Sequence, residues 1–460
     1  MAETLTPDIC VIGGGPGAAA TAMAAAAFGV PVVLIEPHRP LPDHLPALLA
    51  AARNVEAMRR GASLGGSATI VGADFAKVRA HVQRAAAALA PDESRARLAG
   101  LGVRVIDGEA RFRDRRMVSA GDHDIRARRF VIAIGALPET PQIPGLDQGP
   151  YLTADGILGI TELPGHLIVL GAGSEAIELA QAFRRFGSEV TVLAVGAALP
   201  GEDEECATIV LDQLARDGVS LRIGVKIARI ERMGGNVRVA LEGEEIVEGT
   251  HLLVASRKAN VGGLALEAAG IALQDSGIKV DNALKTSNKR VYAIGAAIGQ
   301  PRAASHHAGL VIRNALFRAK IDAGPQHAAR VILTEPELAQ VGLTEMEARA
   351  RGVKNRIVRW PYHDNRRAQA EQKTHGHIKV VTTTKGKIVG VTIVGAQAGE
   401  LVAPWALAVA QSMDISAFTA LSLPSPTLSE IGKSAAIDFF VPRLTSNWTR
   451  RIISWLRIFG

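Results

Sequence analysis

The first pattern along the chain is an apolar run at residues 7–13, stopped by glycines, then an alanine-rich stretch to about Phe28, Gly29, and a second apolar run, Val32-Val33-Leu34-Ile35, ending at Glu36. Short continuous apolar runs bounded by glycine predict buried strands, and the small-residue stretch between them predicts a closely packed helix. The pattern returns at His166-Leu167-Ile168-Val169-Leu170, a helix to about Phe186, Gly187, and Val190-Thr191-Val192-Leu193. Further apolar strands stopped by glycine are expected at 130–138, before Ile143-Pro144-Gly145, and at 291–296. From about residue 325 the pattern becomes alternating, as in Ile378-Lys379-Val380-Val381 and Ile388–Ile393, with Lys385-Gly386 as a hairpin signal. That change predicts a separate α+β domain. In the last fifteen residues Trp448, Ile452, Trp455, Leu456 and Phe459 recur at helical spacing among Arg450, Arg451 and Arg457.

Composition narrows the classes. A chain of 460 residues predicts roughly three domains, and 48% hydrophobic content suits buried cores rather than disorder. Two cysteines, Cys10 and Cys206, exclude a disulfide framework, a four-cysteine zinc site and a cysteine-ligated iron–sulfur cluster within one chain. No signal-peptide pattern precedes Asp8 and no apolar run is long enough to span a bilayer, so a cytosolic chain is expected. The net charge of +7 favours anionic partners, but 4% aromatic content argues against base stacking, and no nucleic acid is expected.

Chemistry enters at the glycines. In Gly13-Gly14-Gly15-Pro16-Gly17-Ala18, Gly13 makes the tight turn, Gly15 lets backbone amides approach a pyrophosphate at the positive end of the helix, and Ala18 keeps helix close to strand. Glu36 falls where an acid accepts hydrogen bonds from a ribose. Gly171-Ala172-Gly173-Ser174-Glu175-Ala176 repeats the motif, so two dinucleotides are implied, although the second unit ends in Ala194-Val195 without an acid or an arginine.

The two glycine motifs, Ala133–Pro138 with Ile143-Pro144-Gly145, and Tyr292-Ala293-Ile294-Gly295 together resemble the FAD-dependent pyridine nucleotide-disulfide oxidoreductases, over residues 8 to about 445. His307-Ala308-Gly309, the stretch 336–345, Gly399-Glu400 and Pro426-Thr427-Leu428-Ser429-Glu430 look most like the mercuric reductase and dihydrolipoamide dehydrogenase branch. The resemblance implies a glutathione-reductase-like α/β fold with two Rossmann-like domains. FAD would take residues 1–147 and 276–322, NAD(P) residues 148–275, an α+β dimerisation domain 323–445, and a basic tail 446–460. It implies FAD at Gly13, Gly15, Gly17, Ala18, Glu36, Ala110, Gly135, Gly295 and Ala296, and NADH or NADPH at Gly171, Gly173, Ala176 and Arg257. A homodimer whose subunits complete each other's active sites also follows.

The chain departs from that family at its chemistry. The Cys-x4-Cys and following lysine expected after Glu36 are missing from a shortened, proline-rich Pro37–Pro46. The acid-base histidine before Pro-Thr is Ser425, which has no pKa near neutrality, while its partner acid survives as Glu430. The aspartate that holds the flavin ribityl chain is Ala296. Glu178 survives without its lysine, either as a residue near the nicotinamide cofactor or as a helix N-terminal acid. In Val254–Asn260, Arg257 and Lys258 are candidates to meet phosphate.

Other clusters are weaker. His306 and His307 lack accompanying cysteine or acid, so capping or surface packing is expected rather than a metal, with contact to the flavin ring as the alternative. His38, Asp43 and His44 read as a solvated turn, and Asp364-Asn365-Arg366-Arg367-Ala368 as a charged face. The tail lies in a lipid headgroup layer on the inner face of the membrane or packs on the dimer. The favoured reading is a homodimeric FAD oxidoreductase passing electrons from NAD(P)H through flavin directly to an external acceptor such as a quinone. Glu430 and Ser425 then border the acceptor pocket and Glu178 approaches the nicotinamide. The alternative is a catalytically degenerate binding or scaffold subunit.

Overall fold

The computed structural model describes residues 3–36, 45–65, 72–89, 94–324, 328–444 and 447–458. They form two compact units, 1–198 with 218–324, and 199–217 with 325–460.

In the first unit the glycine-stopped runs become the middle of a five-stranded parallel sheet, in the order Val291–Ala293, Arg129–Ile132, Ile9–Ile12, Val32–Glu36 and Val103–Asp107. Ile9 to Ile12 are all buried, as a central strand covered on both faces requires. Helix α1 (Pro16–Ala26) packs on this sheet through Ala18, Ala22 and Ala25. Three more helices follow, α2 (Leu45–Arg60), α3 (Phe75–Leu89) and α4 (Arg95–Gly100). A four-stranded sheet carries Ala110–Asp114 at one edge.

The second parallel sheet runs Leu152–Thr153, His251–Val254, His166–Leu170, Glu189–Ala194 and Ser220–Ile223. Helix α5 (Ser174–Phe186) lies on it and receives Phe75 of α3 against Phe183 and Phe186. Helix α6 (Glu204–Asp217) leaves this sheet in sequence and belongs to the second unit. Helix α7 (Ala304–Phe317) returns to the first sheet and packs along α1.

The run 130–138 is not one strand. It stops at Ile132, the chain turns through Ala133–Gly135, and Ala136–Pro138 pairs antiparallel with Arg257–Ala259. That pairing links the segment after the first parallel sheet to the segment after the second.

The second unit centres on a five-stranded antiparallel sheet, ordered Arg330–Ile332, Glu337–Gly342, Ile388–Gly395, His377–Thr383 and Asn355–Pro361. Its core includes Trp405 stacked on Phe418 at 3.7 Å between ring centroids. Helices Glu430–Leu444 and Asn447–Leu456 end the chain.

Candidate functional site

The first glycine motif sits at the carboxyl end of strand Ile9–Ile12. Gly13 has φ +135°, and a Cβ there would lie 2.1 Å from the Ala133 carbonyl oxygen, so only glycine makes this turn. Helix α1 then starts at Gly15 with no side-chain cap and no acid in its first turn, which leaves its positive end open to an anion. Ala18 is buried against the sheet. Glu36 ends the neighbouring strand 1% exposed, and Arg95 of α4 donates to it at 2.7 Å while also reaching Asp107 at 3.1 Å.

The segment after strand Val291–Ala293 closes on the same motif. A Cβ on Gly17 would lie 2.8 Å from the Ala304 Cβ, and one on Gly295, with φ +62°, would lie 2.7 Å from it. Ala296 is half-buried and offers no polar side chain. Ala110 is buried at a strand start, and the Gly135 carbonyl accepts from Asn260 N–H at 3.3 Å. These residues fit a dinucleotide in the first unit: a glycine cradle, an open helix end and a buried acid at the second strand.

The second motif has the same backbone but different charge. Gly171 N–H donates to Leu193 at 2.9 Å, Gly173 caps α5, and Ala176 is fully buried. Glu175, in the first turn, accepts from Arg257 Nε at 2.8 Å, and Arg257 Nη2 also reaches Asp155 at 2.5 Å. Burial alone would lower the Arg257 pKa, but the bonds to Asp155 and Glu175 raise it above its ordinary value. Arg257 is thus held by two carboxylates, while Ala194 and the exposed Val195 close the strand without a polar group. The turn itself fits a pyrophosphate.

Glu178, one turn further along α5, is fully buried and receives Arg302 Nη2 at 2.8 Å on each carboxylate oxygen. Arg302 comes from the short turn before α7 and supplies a cation that no spacing in the sequence signalled. Beside it in sequence, His306 is exposed and His307 is fully buried, so His307 does not pack at the surface as expected. The ring turns inward because α7 presents its face to α1 and the Gly295 turn. Among the described residues no cluster of three metal-ligating side chains is found. His38, Asp43 and His44 lie outside the described residues.

In the second unit Ser425 is exposed, and the half-buried Glu430 accepts from Thr427 N–H at 2.9 Å. A larger polar cluster sits elsewhere in that unit. Lys379 Nζ, 5% exposed, contacts Asp203 at 2.9 Å, Glu205 at 3.0 Å and Glu345 at 2.9 Å. Arg359 adds a second cation on Glu205 at 2.8 Å. Burial opposes the Lys379 charge, yet the bonds to Asp203, Glu345 and Glu205 carry its pKa upward. Arg359 first, then Lys379, holds Glu205 down to about 2. Cys206 lies 3.6 Å from His377 Nε2 and its thiol is pushed up, chiefly by burial.

Comparison with known proteins agrees with this geometry. The profile described as "Pyridine nucleotide-disulphide oxidoreductase" matches residues 7–309. The chain belongs to the pyridine nucleotide-disulphide oxidoreductase family. The dimerisation domain of that family matches residues 328–436. A mercuric reductase of Staphylococcus aureus is 33% identical over 348 residues, 74% of this chain and 64% of its own length. A Bacillus cereus mercuric reductase is also 33% identical, and there the match spans 55% of its length. A dihydrolipoyl dehydrogenase of Thermus scotoductus is 32% identical over 92% of this chain and 95% of its own. The solved structure of LpdA from Mycobacterium tuberculosis superposes with a TM-score of 0.83 at 27% identity, covering 94% of this chain and 99% of that one. Members of this oxidoreductase family bind FAD, with NADH or NADPH as the pyridine nucleotide.

Proposed function

We propose that the protein is a homodimeric FAD-dependent NAD(P)H oxidoreductase that hands electrons directly to an external small-molecule acceptor of quinone type, without a redox disulfide. The observation that carries this reading is the placement of its cysteines. The chain has two, Cys10 and Cys206; both are free and fully buried, and they belong to different units. No pair is available to relay electrons.

When bound, FAD supplies the two-electron carrier that the protein itself lacks. The Gly15 and Gly17 amides would meet its pyrophosphate, Gly13, whose own N–H donates to the Ile35 carbonyl, would supply the turn and Ala18 the close packing, and Glu36 would accept from its ribose. Gly135, Ala110, Gly295 and Ala296 complete that site. Gly171, Gly173 and Ala176 offer the pyridine nucleotide a second cradle, with Arg257 beside it. Glu178, fixed by Arg302, faces the nicotinamide side. Ser425 and Glu430 border the acceptor pocket across the dimer. Serine there holds no proton for a leaving thiolate, which suits an acceptor that takes its protons from solvent.

The helix Asn447–Leu456 supports placing that acceptor near a lipid surface. Ile453, Trp455, Leu456 and Ile458 are exposed beside exposed Arg450, Arg451 and Arg457, the composition of an interfacial helix. No described helix is long and apolar enough to cross a membrane. A second reading, a binding or scaffold subunit, is favoured by Glu175, because a carboxylate in the first turn of α5 opposes an anionic ligand there.

The test is a spectrum of the purified protein, then anaerobic NADH, NADPH and a soluble quinone. Bands near roughly 370 and 450 nm, typical of oxidised flavin, bleached by a nucleotide and restored by quinone, support the oxidoreductase. A protein that takes up FAD but is bleached by neither nucleotide favours the binding subunit, and one that takes up no FAD removes the flavin reading.

A further inference from the structure

Arg302 joins the two glycine motifs. Its backbone belongs to the short turn Pro301–Ala303, next to Ala304, whose Cβ stands 2.8 Å from where a Gly17 Cβ would be and 2.7 Å from that of Gly295. Its guanidinium reaches the other motif, where Nη2 donates at 2.8 Å to each oxygen of Glu178, one turn inside the helix that Gly173 caps. The motifs also meet elsewhere along this seam. Glu139 N–H donates to the Ser256 carbonyl at 2.8 Å, Ser256 Oγ lies 3.3 Å from where a Gly171 Cβ would be, and Asn260 N–H donates to the Gly135 carbonyl at 3.3 Å. Both motifs and the seam belong to the first unit.

Two dinucleotides whose pyrophosphates rest on the two helix ends exchange a hydride only where their rings touch, at about 3–3.5 Å. The seam is where the two cradles face each other. There Glu178 is fully buried while the Arg302 side chain stays 35% exposed. Among the described residues Arg302 has no second acceptor, and none of its nitrogens is both buried and without a partner. The pair is a fixed dipole whose negative end is inside and whose permanently charged end is open to a ligand. We propose that Arg302 stabilises the negative charge that two-electron reduction places on FAD, with Glu178 holding the guanidinium in position. The inference rests on the flavin reading above. Hydride transfer breaks the nicotinamide C4–H bond, forms the flavin N5–H bond and carries both electrons across, so the flavin gains one negative charge and the nicotinamide one positive charge. A cation already fixed at the seam meets the new anion without reorganisation.

The two ends of the dipole act on the flavin with opposite sign, and that separates this role from a structural one. The flavin midpoint potential is measured by equilibration with redox dyes in FAD-loaded wild type, Arg302→Met, Glu178→Gln and the double variant, and NADH and NADPH are titrated into each. Losing the cation is expected to weaken the reduced state about tenfold relative to the oxidised one, which lowers the two-electron potential of Arg302→Met by about 30 mV. Glu178→Gln removes the opposing charge and is expected to raise it, with the double variant in between. An unchanged potential in a folded Arg302→Met protein, or shifts of the same sign in both single variants, overturns the inference. Weakened nucleotide binding at an unchanged potential also overturns it, and gives Arg302 to a phosphate instead. Should Arg302→Met not fold, the double variant decides, because its potential must fall below that of Glu178→Gln. A wild-type protein that takes up no FAD overturns the flavin reading, and this inference with it.

Discussion

A single nitrogen of Arg302, Nη2, stands 2.8 Å from each carboxylate oxygen of Glu178. The carboxylate is fully buried while the arginine side chain remains 35% exposed, so the cation acts as a lid on the anion. Arg302→Ala is expected to lower unfolding free energy by about 1.5–3 kcal/mol, the range for a hydrogen bond to a charged group. Arg302→Lys should recover part of it, because a single ammonium can take the place of Nη2 but on a differently shaped, shorter-reaching side chain. Urea unfolding of the three proteins checks this, and an unchanged midpoint in Arg302→Ala would show that the pair holds nothing.

Lys379 carries a heavier load. Its ammonium faces Asp203, Glu205 and Glu345 at 3.0 Å or less, and both Lys379 and Asp203 are about 5% exposed or less. Lys379→Met removes the ammonium from the buried Asp203, and breaking such a pair costs about 3–5 kcal/mol. Because the cluster fixes the start of α6 to the antiparallel sheet, the loss should appear first in the second unit. Hydrogen exchange of amides in Glu204–Asp217 reads it; protection equal to wild type contradicts the prediction.

Acid should destabilise the apoprotein in two steps. His307 has a folded pKa near 4, against roughly 6.5 when unfolded, so the unfolded chain binds the extra proton between those values. Its contribution is complete above about 6.5 and is lost as pH falls towards 4. Glu205 and Glu345 lie below the ordinary carboxylate value of about 4.3, Glu205 at about 2. Theirs is present above that value and lost on further acidification. His307→Asn should reduce the upper step, to which His377, also lowered by burial, contributes, and leave the lower, as followed by thermal midpoint against pH.

The basic tail makes a separate prediction. Full-length protein is expected to float with vesicles containing anionic lipid, more weakly at high salt, and a chain ending at Leu444 should not. Flotation of neither, with the helix Asn447–Leu456 protected from protease in the dimer, would place the tail on protein instead.

The sheets and the glycine turns were legible because buried strands announce themselves as apolar runs and a turn such as Gly13, 2.1 Å from a carbonyl by its missing Cβ, admits no other residue. Arg302 and Arg95 were not, since an ion pair between residues 124 or 59 positions apart leaves no local trace. His307 was visible only as one of two adjacent histidines. Which of them turns inward depends on the face that α7 gives to α1, a tertiary property. Helix α6 likewise sits between two strands of the second parallel sheet in sequence but packs with the antiparallel one. The partners of its first turn, Lys379 and Arg359, lie far along the chain.

Each compact unit encloses one sulfhydryl, Cys10 in the first and Cys206 in the second, and burial pushes both thiols above their ordinary pKa. Alkylating reagents consequently find no target while both units stay closed. The protein carries its own pair of opening sensors: labelling at Cys10 times the loosening of the first parallel sheet, labelling at Cys206 that of the second unit, and a difference between the two rates measures how independently the units breathe.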